Sequence, residues 1–173
     1  MAKYTFSVGE KLTAARTNNF CQEGEVANSS LVTTAGQPGG AWVSYTPTVT
    51  GISNTTATGA YMRLGKTVFF RAKVLLGASS SVTATPEVSL PLASATNVPS
   101  SAFEVRMVDA NVLLWYSGQG VEVNADAVSI YALRDQGSTT TYSYGVAVTS
   151  AIPFTWTTSD YIEVSGCYET SAA

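Results

Sequence analysis

The sequence predicts an all-β fold, an antiparallel β-sandwich of jelly-roll type with a short N-terminal arm containing at most one short helix. Three observations lead there. From residue 41 onward apolar and polar residues alternate with a period of two, the signature of half-buried strands. Turn-forming Gly, Pro, Asn and Asp residues punctuate these runs at short intervals. Thr, Val and Tyr are abundant, and no stretch beyond the arm shows helical spacing.

Residues 1–40 form the expected arm and linker, and 41–173 the sandwich domain. Within the arm, Thr13 is an N-cap for a short helix over Ala14, Ala15 and Arg16, which Asn18 and Asn19 end. A helix that short is not stable alone. "GQPGG" at 36–40 breaks helices and strands alike, so the domain begins near Ala41.

"AWVSYTPTVTG" alternates and closes on Gly51, with Pro47 removing one ladder donor at an edge or a bend. "TATGAYMRLG" and "KTVFFRAKVLLG" form a tight hairpin about Gly65 and Lys66. In its second strand Val68, Phe70, Ala72, Val74 and Leu76 share one face, and Thr67, Phe69, Arg71, Lys73 and Leu75 the other. Arg71 and Lys73 therefore mark the wet side. Phe69 and Leu75 share that side, and burying each is worth roughly 1.5–3 kcal/mol, which makes them candidates for a subunit interface as well as ordinary surface hydrophobes. Further strands are expected at 86–92, 103–117, 121–134, 139–149 and 160–170. In "FEVRMV" Glu104 and Arg106 repeat the half-wet pattern.

At 173 residues and 45% hydrophobic content the chain fills one core without staples. Charged residues are 12% and Ser plus Thr about a quarter of the chain, whereas charged residues are about 25% of an average soluble protein. Net charge is −3 and the nine Lys and Arg are scattered, so no basic stripe exists for nucleic acid. No apolar run approaches the roughly 20 residues that span a bilayer, and the N-terminus lacks a secretory signal, so synthesis in the cytoplasm without membrane insertion is expected.

There is no histidine, which removes Ser-His-Asp and Cys-His arrangements within the chain. Cys21 and Cys167 are far apart in sequence and outside metal-binding spacing; two separate reduced thiols are expected, with no structural zinc. Glu104, Asp109, Glu122, Asp126 and Asp135 are the carboxylates available for acid–base work, and their placement reads more simply as exposed strand and turn residues. "DAN" at 109–111 and "NAD" at 124–126 have the oxygen spacing that opens a calcium loop, yet lack its Gly and distal Glu; Asx residues at hairpin turns explain them. No cofactor, metal or catalytic residue is implied, and an enzyme is not expected.

Aromatic residues gather in the last third: Trp115, Tyr116, Tyr131, Tyr142, Tyr144, Phe154, Trp156 and Tyr161. "SAIPFTWTTSDY" at 150–161 reads as a loop, and Phe154, Trp156 and Asp160 in it are the candidate ligand-binding residues, since a ring face beside hydroxyl and carboxylate groups suits a sugar or a protein pocket. A Trp plugging one end of the sandwich fits the same letters.

"AWVSYTPTVTG", "GAYMRLGKTVFFRAKVLLG", "VSLPLAS" and "PFTWTTSDYIEVSGCYE" resemble, in that order, the β-sandwich domain at the C-termini of tailed-bacteriophage minor tail proteins and tail fibres. The matching positions are Trp42, Tyr45 and Pro47; Gly59, Tyr61, Gly65 and Val68; and Pro153, Phe154 and Trp156. "VGEKLTAARTNNF" is similar to the Gly-x-x-Leu-Thr-Ala-Ala segment at the virion-proximal end of such proteins. The resemblance implies a non-enzymatic virion protein, a homotrimeric tail appendage that docks other virion proteins through residues 1–30 and binds a host cell-wall glycan. It offers Phe69 and Leu75 as intersubunit residues. Only "CQEGEVANSSLVTTAGQPGG" stands where the family carries a long shaft, and this shortness also fits a capsid decoration or head-surface protein that stabilises the particle.

Overall fold

The computed structural model describes residues 42–95, 102–135 and 143–171. The expected arm with its predicted helical turn at 14–16, the "GQPGG" segment, Cys21 and Tyr142 lie outside the described residues. Among the described residues there is no helix and there are ten strands: β1 (Val43–Tyr45), β2 (Val49–Ile52), β3 (Thr55–Leu64), β4 (Thr67–Leu76), β5 (Val82–Ser89), β6 (Ala102–Asp109), β7 (Leu114–Asn124), β8 (Ala127–Asp135), β9 (Ser143–Ala147) and β10 (Tyr161–Glu169). Every pairing is antiparallel, and the all-β antiparallel fold is as the periodicity predicts.

The strands make one continuous sheet, ordered β1-β3-β4-β10-β6-β7-β8-β5-β2, with β9 beside β5 on the free side of β8. β1 and β2 stand at opposite ends of this order, yet residues 46–48 alone separate them in the chain. Laid flat, the nine strands would hold β1 and β2 about 38 Å apart, whereas four Cα steps bring Tyr45 within about 15 Å of Val49. The sheet therefore curls until its two edges nearly meet. Across the seam the Tyr45 hydroxyl on β1 reaches Ser89 O on β5 at 3.4 Å, and Ser89 is held there by the β2–β5 ladder, its N–H donating to Thr48 O and its Oγ accepting from Thr48 N–H, both at 2.9 Å. Pro47 is buried at this bend, which resolves the run read as one strand into two that lie at opposite edges.

The concave side of the curl is the core. β4 alternates as expected, with Val68, Phe70, Ala72, Val74 and Leu76 buried and Phe69, Arg71 and Leu75 exposed. β6 adds Phe103, Val105 and Met107; β8 adds Val128, Ile130 and Ala132; β10 adds Ile162, Val164 and Tyr168; and Ile52, Val82 and Val88 close the other end of the strand order. Phe70, Phe103 and Tyr168 meet edge to face, with ring centroids 5.2, 5.8 and 6.2 Å apart. The Phe103 ring occupies the space that a Cβ on Gly166 would take, 2.6 Å from its Cδ1.

β7 departs from simple expectation. Its inward positions include Gly118 and Gly120, and its Val121 and Val123 face outward and are exposed. A Cβ on Gly120 would stand 3.0 Å from that of Phe103, so the empty positions let neighbouring side chains spread over the strand. The segments read as strands at 103–117 and 121–134 each enclose a hairpin turn. Asp109 Oδ1 accepts N–H bonds from Asn111 at 3.1 Å and Val112 at 3.4 Å, and Asn124 Oδ1 accepts one from Asp126 at 2.8 Å, so "DAN" and "NAD" are Asx turns. Gly65, at φ 61°, turns the two-residue β3–β4 hairpin.

Gly118→Ala would place a methyl 2.5 Å from Tyr131 O and 2.7 Å from Met107 Cε, and should destabilise the fold by about 1–3 kcal/mol in urea denaturation. Gly145→Ala meets nothing nearer than 3.6 Å and should stay within about 0.5 kcal/mol.

Burial pushes the Tyr45 and Tyr168 phenols above their ordinary value, and for Tyr168 the bond to the Leu92 backbone opposes part of the rise. A raised pKa means the folded chain keeps protons that the unfolded chain releases. This contribution is complete below about pH 10 and is lost as pH climbs further. The denaturation midpoint should fall above that pH, and more gently in a Tyr45→Phe/Tyr168→Phe double variant.

Candidate functional site

One end of the curled sheet is organised by Asp160. Asp160 has no exposed surface. Its Oδ2 accepts from Thr157 N–H at 2.6 Å and Thr157 Oγ1 at 3.0 Å, and its Oδ1 accepts from Ala110 N–H at 2.8 Å. Its carbonyl accepts from Leu76 N–H at 2.9 Å, and Ser159 N–H donates to Leu76 O at 3.0 Å. One side chain thus ties the 149–160 loop to the β6–β7 turn, while its backbone ties the same loop to the end of β4. Asn111 Nδ2 donates to Thr157 Oγ1 at 2.6 Å, a second bond between the two loops.

Behind this staple lies an aromatic stack. Phe154 is buried between Tyr116 and Trp156, with ring centroids 5.0 and 4.4 Å away. The half-buried Trp156 donates its indole N–H to Thr149 O at 2.9 Å and Ile152 O at 3.3 Å, and Ile152–Pro153 is a cis peptide. Phe154, Trp156 and Asp160, the candidate ligand contacts, are therefore brought together as the internal support of this end, with Trp156 in the plug position.

What the support holds outward is the β6–β7 hairpin tip. Val112, Leu113, Leu114 and Trp115 are consecutive and are 59, 75, 52 and 69% exposed. Leu113 adopts φ 56°, a left-handed conformation costing about 1–2 kcal/mol for a residue with a Cβ. A strained, exposed leucine held by buried bonds marks a tip kept in one shape. Sequence reading missed it because "VLLW" looks like strand interior; the Asx turn at Asp109 was the available signal.

A second surface lies on the outward face of β3, β4 and β10. Strand register aligns Thr58, Lys73 and Glu163 in one row and Ala60, Arg71 and Ser165 in the next, and these six line an open trough of about 460 Å³. Glu163 also faces Arg106 on β6, whose Nε donates to Glu163 Oε2 at 2.9 Å; this bond raises the Arg106 pKa. Lys73 Nζ is 4.0 Å from Glu163 Oε1. Each cation of this face also lies over a ring: Arg71 at 4.6 Å from Trp42, Lys73 at 3.7 Å from Tyr161 and Arg106 at 5.9 Å from Trp115. Phe69 and Leu75, 36 and 39% exposed, lie on this face on either side of the two rows.

The carboxylates weighed for acid–base chemistry are dispersed. Asp109 holds a turn, Asp126 is exposed in the turn between β7 and β8, Asp135 ends β8, Glu122 accepts from Ser94 Oγ, and Glu104 is exposed on the outward face. Among the described residues no group of three or more His, Cys, Asp or Glu is placed to hold a metal, and no helix is long and apolar enough to cross a membrane. Cys167 is exposed with a free thiol, opposite Phe69. No protein-family model, curated protein or solved structure matches the chain.

Asp160→Ala would leave the Ala110 and Thr157 N–H groups without an acceptor. It should destabilise the protein by at least about 2 kcal/mol and speed hydrogen exchange at those two amides before global unfolding.

Proposed function

We propose that the chain is a virion component of a tailed bacteriophage, a non-enzymatic attachment module that holds the host surface at its loop end. The observation that carries this reading is the rigid tip: four consecutive apolar side chains in water, on a turn pinned by the buried Asp160. Covering each of them stabilises a complex by roughly 1.5–3 kcal/mol before the costs of association. A preformed tip pays little ordering entropy on docking. The sequence resemblance supplies the setting, with residues 1–30 as the anchor in the particle.

A second reading, a decoration protein that stabilises the capsid, is favoured by one feature of the same tip. Val112, Leu113 and Leu114 have no hydrogen-bonding side chain, and such a surface fits an apolar socket on another virion protein as well as it fits a sugar-coated wall.

Leu113→Gly separates binding from folding. Removing the left-handed Cβ relieves about 1–2 kcal/mol, which offsets the roughly 1 kcal/mol of added chain entropy, so stability should be unchanged or higher. In a pull-down with host cells the native protein should bind and Leu113→Gly and Trp115→Ser should bind at least severalfold less. Equal cell binding by all three proteins, or none by the native one, counts against host attachment. Loss of particle stability with normal adsorption on deleting the protein favours the capsid reading.

A further inference from the structure

We propose that the trough across β3, β4 and β10 binds an acidic sugar unit, its anionic group paired with Arg71 and Lys73. This deepens the attachment reading and rests on it. The floor between the cations is made of short side chains, Ala60 and Ser165 flanking Arg71 and Thr58 flanking Lys73, so a ring-sized ligand can descend between longer neighbours. Those neighbours are the apolar rows Met62–Phe69 and Leu75–Tyr161, above and below the polar rows. A shallow floor of short side chains that carries two cations and two hydroxyls between apolar rims suits a pyranose, which is polar at its edge and apolar on its faces. The volume of about 460 Å³ falls in the range of roughly 300–1,000 Å³ in which small-molecule sites lie.

Charge decides which sugar. The chain carries net charge −3, yet the trough itself is lined by Arg71 and Lys73 against Glu163 alone, a local excess of one cation. Glu163 is already shared by Arg106 and Lys73. Arg71 is exposed, lies against the Trp42 ring, and has no carboxylate partner among the described residues. Its guanidinium keeps a planar edge free for a bidentate contact with a carboxylate or a phosphate. Lys73, at the 4.0 Å limit of its contact with Glu163, adds a second positive group one row away. Ser165 and Thr58 hydroxyls are within the same lining to meet sugar hydroxyls.

A second copy of the chain seated on this face through Phe69 and Leu75 would desolvate Arg71, which has no carboxylate partner among the described residues, and this disfavours that occupant. The test is calorimetric titration of the purified full chain with three probes: a galacturonic-acid trisaccharide, maltotriose carrying a 6-phosphate and neutral maltotriose. Saturable binding of either anionic probe, with none of maltotriose, is expected, and the two anionic arms identify whether carboxylate or phosphate is taken. Arg71→Gln and Lys73→Gln, both on the surface, should retain the native denaturation midpoint and weaken that binding about tenfold to a hundredfold each. Binding of neither anionic probe, equal binding of maltotriose, native affinity in Arg71→Gln, or a concentration-dependent mass abolished by Phe69→Ser would each overturn the proposal. Failure here with tip-dependent cell binding intact leaves the attachment reading standing, because Leu113→Gly and Arg71→Gln alter separate surfaces.

Discussion

The fold depends on one geometric constraint: the strands at the two ends of the sheet order are neighbours in the chain. A link of residues 46–48 between β1 and β2 forbids a flat sheet. Curling then places the inward faces of β4, β6, β8 and β10 around one apolar interior. Curvature also crowds the concave side, and the inward glycines answer that crowding. The Phe103 ring lies where a Cβ on Gly166 would stand, and Val128 Cγ1 together with the Phe103 Cβ closes on the position of one at Gly120, so side chains of neighbouring strands fill both. Burial of Phe103 and emptiness at those glycines are a single packing solution.

The same curl sets the loops at one end within reach of each other, where Asp160 converts proximity into rigidity. A carboxylate accepting two backbone N–H bonds and a hydroxyl satisfies groups that a buried loop otherwise leaves unpaired. That internal order makes an outward surface of apolar residues useful, since side chains on a floppy turn would lose on docking much of what their burial gains. Phe154 and Trp156 serve the same end from behind.

On the convex side the balance is different. Arg71, Lys73 and Arg106 each lie against an aromatic ring, and two of them share Glu163, so the charges form a sparse ladder instead of a solvated scatter. Exposed ion pairs of this kind add little stability. Their effect is on the character of the surface: a polar band bounded by apolar rows, on a protein whose overall charge is negative.

The sequence by itself determined the class of structure and the facing of individual strands. Period-two alternation told buried Phe70 from exposed Phe69, Gly65 announced the β3–β4 hairpin, and Asp109 and Asn124 carried their turns as local side-chain-to-backbone bonds. These signals are legible because each is decided within a few residues. Tertiary structure alone decided that Pro47 parts two strands at opposite sheet edges, that β7 turns glycines inward and valines outward, and that Asp160 is consumed internally while Val112 to Trp115 stand in water. Those outcomes depend on what distant segments bring to the same place: a carboxylate reads alike whether solvent or the Ala110 amide meets it, and only the closed sheet supplies that amide.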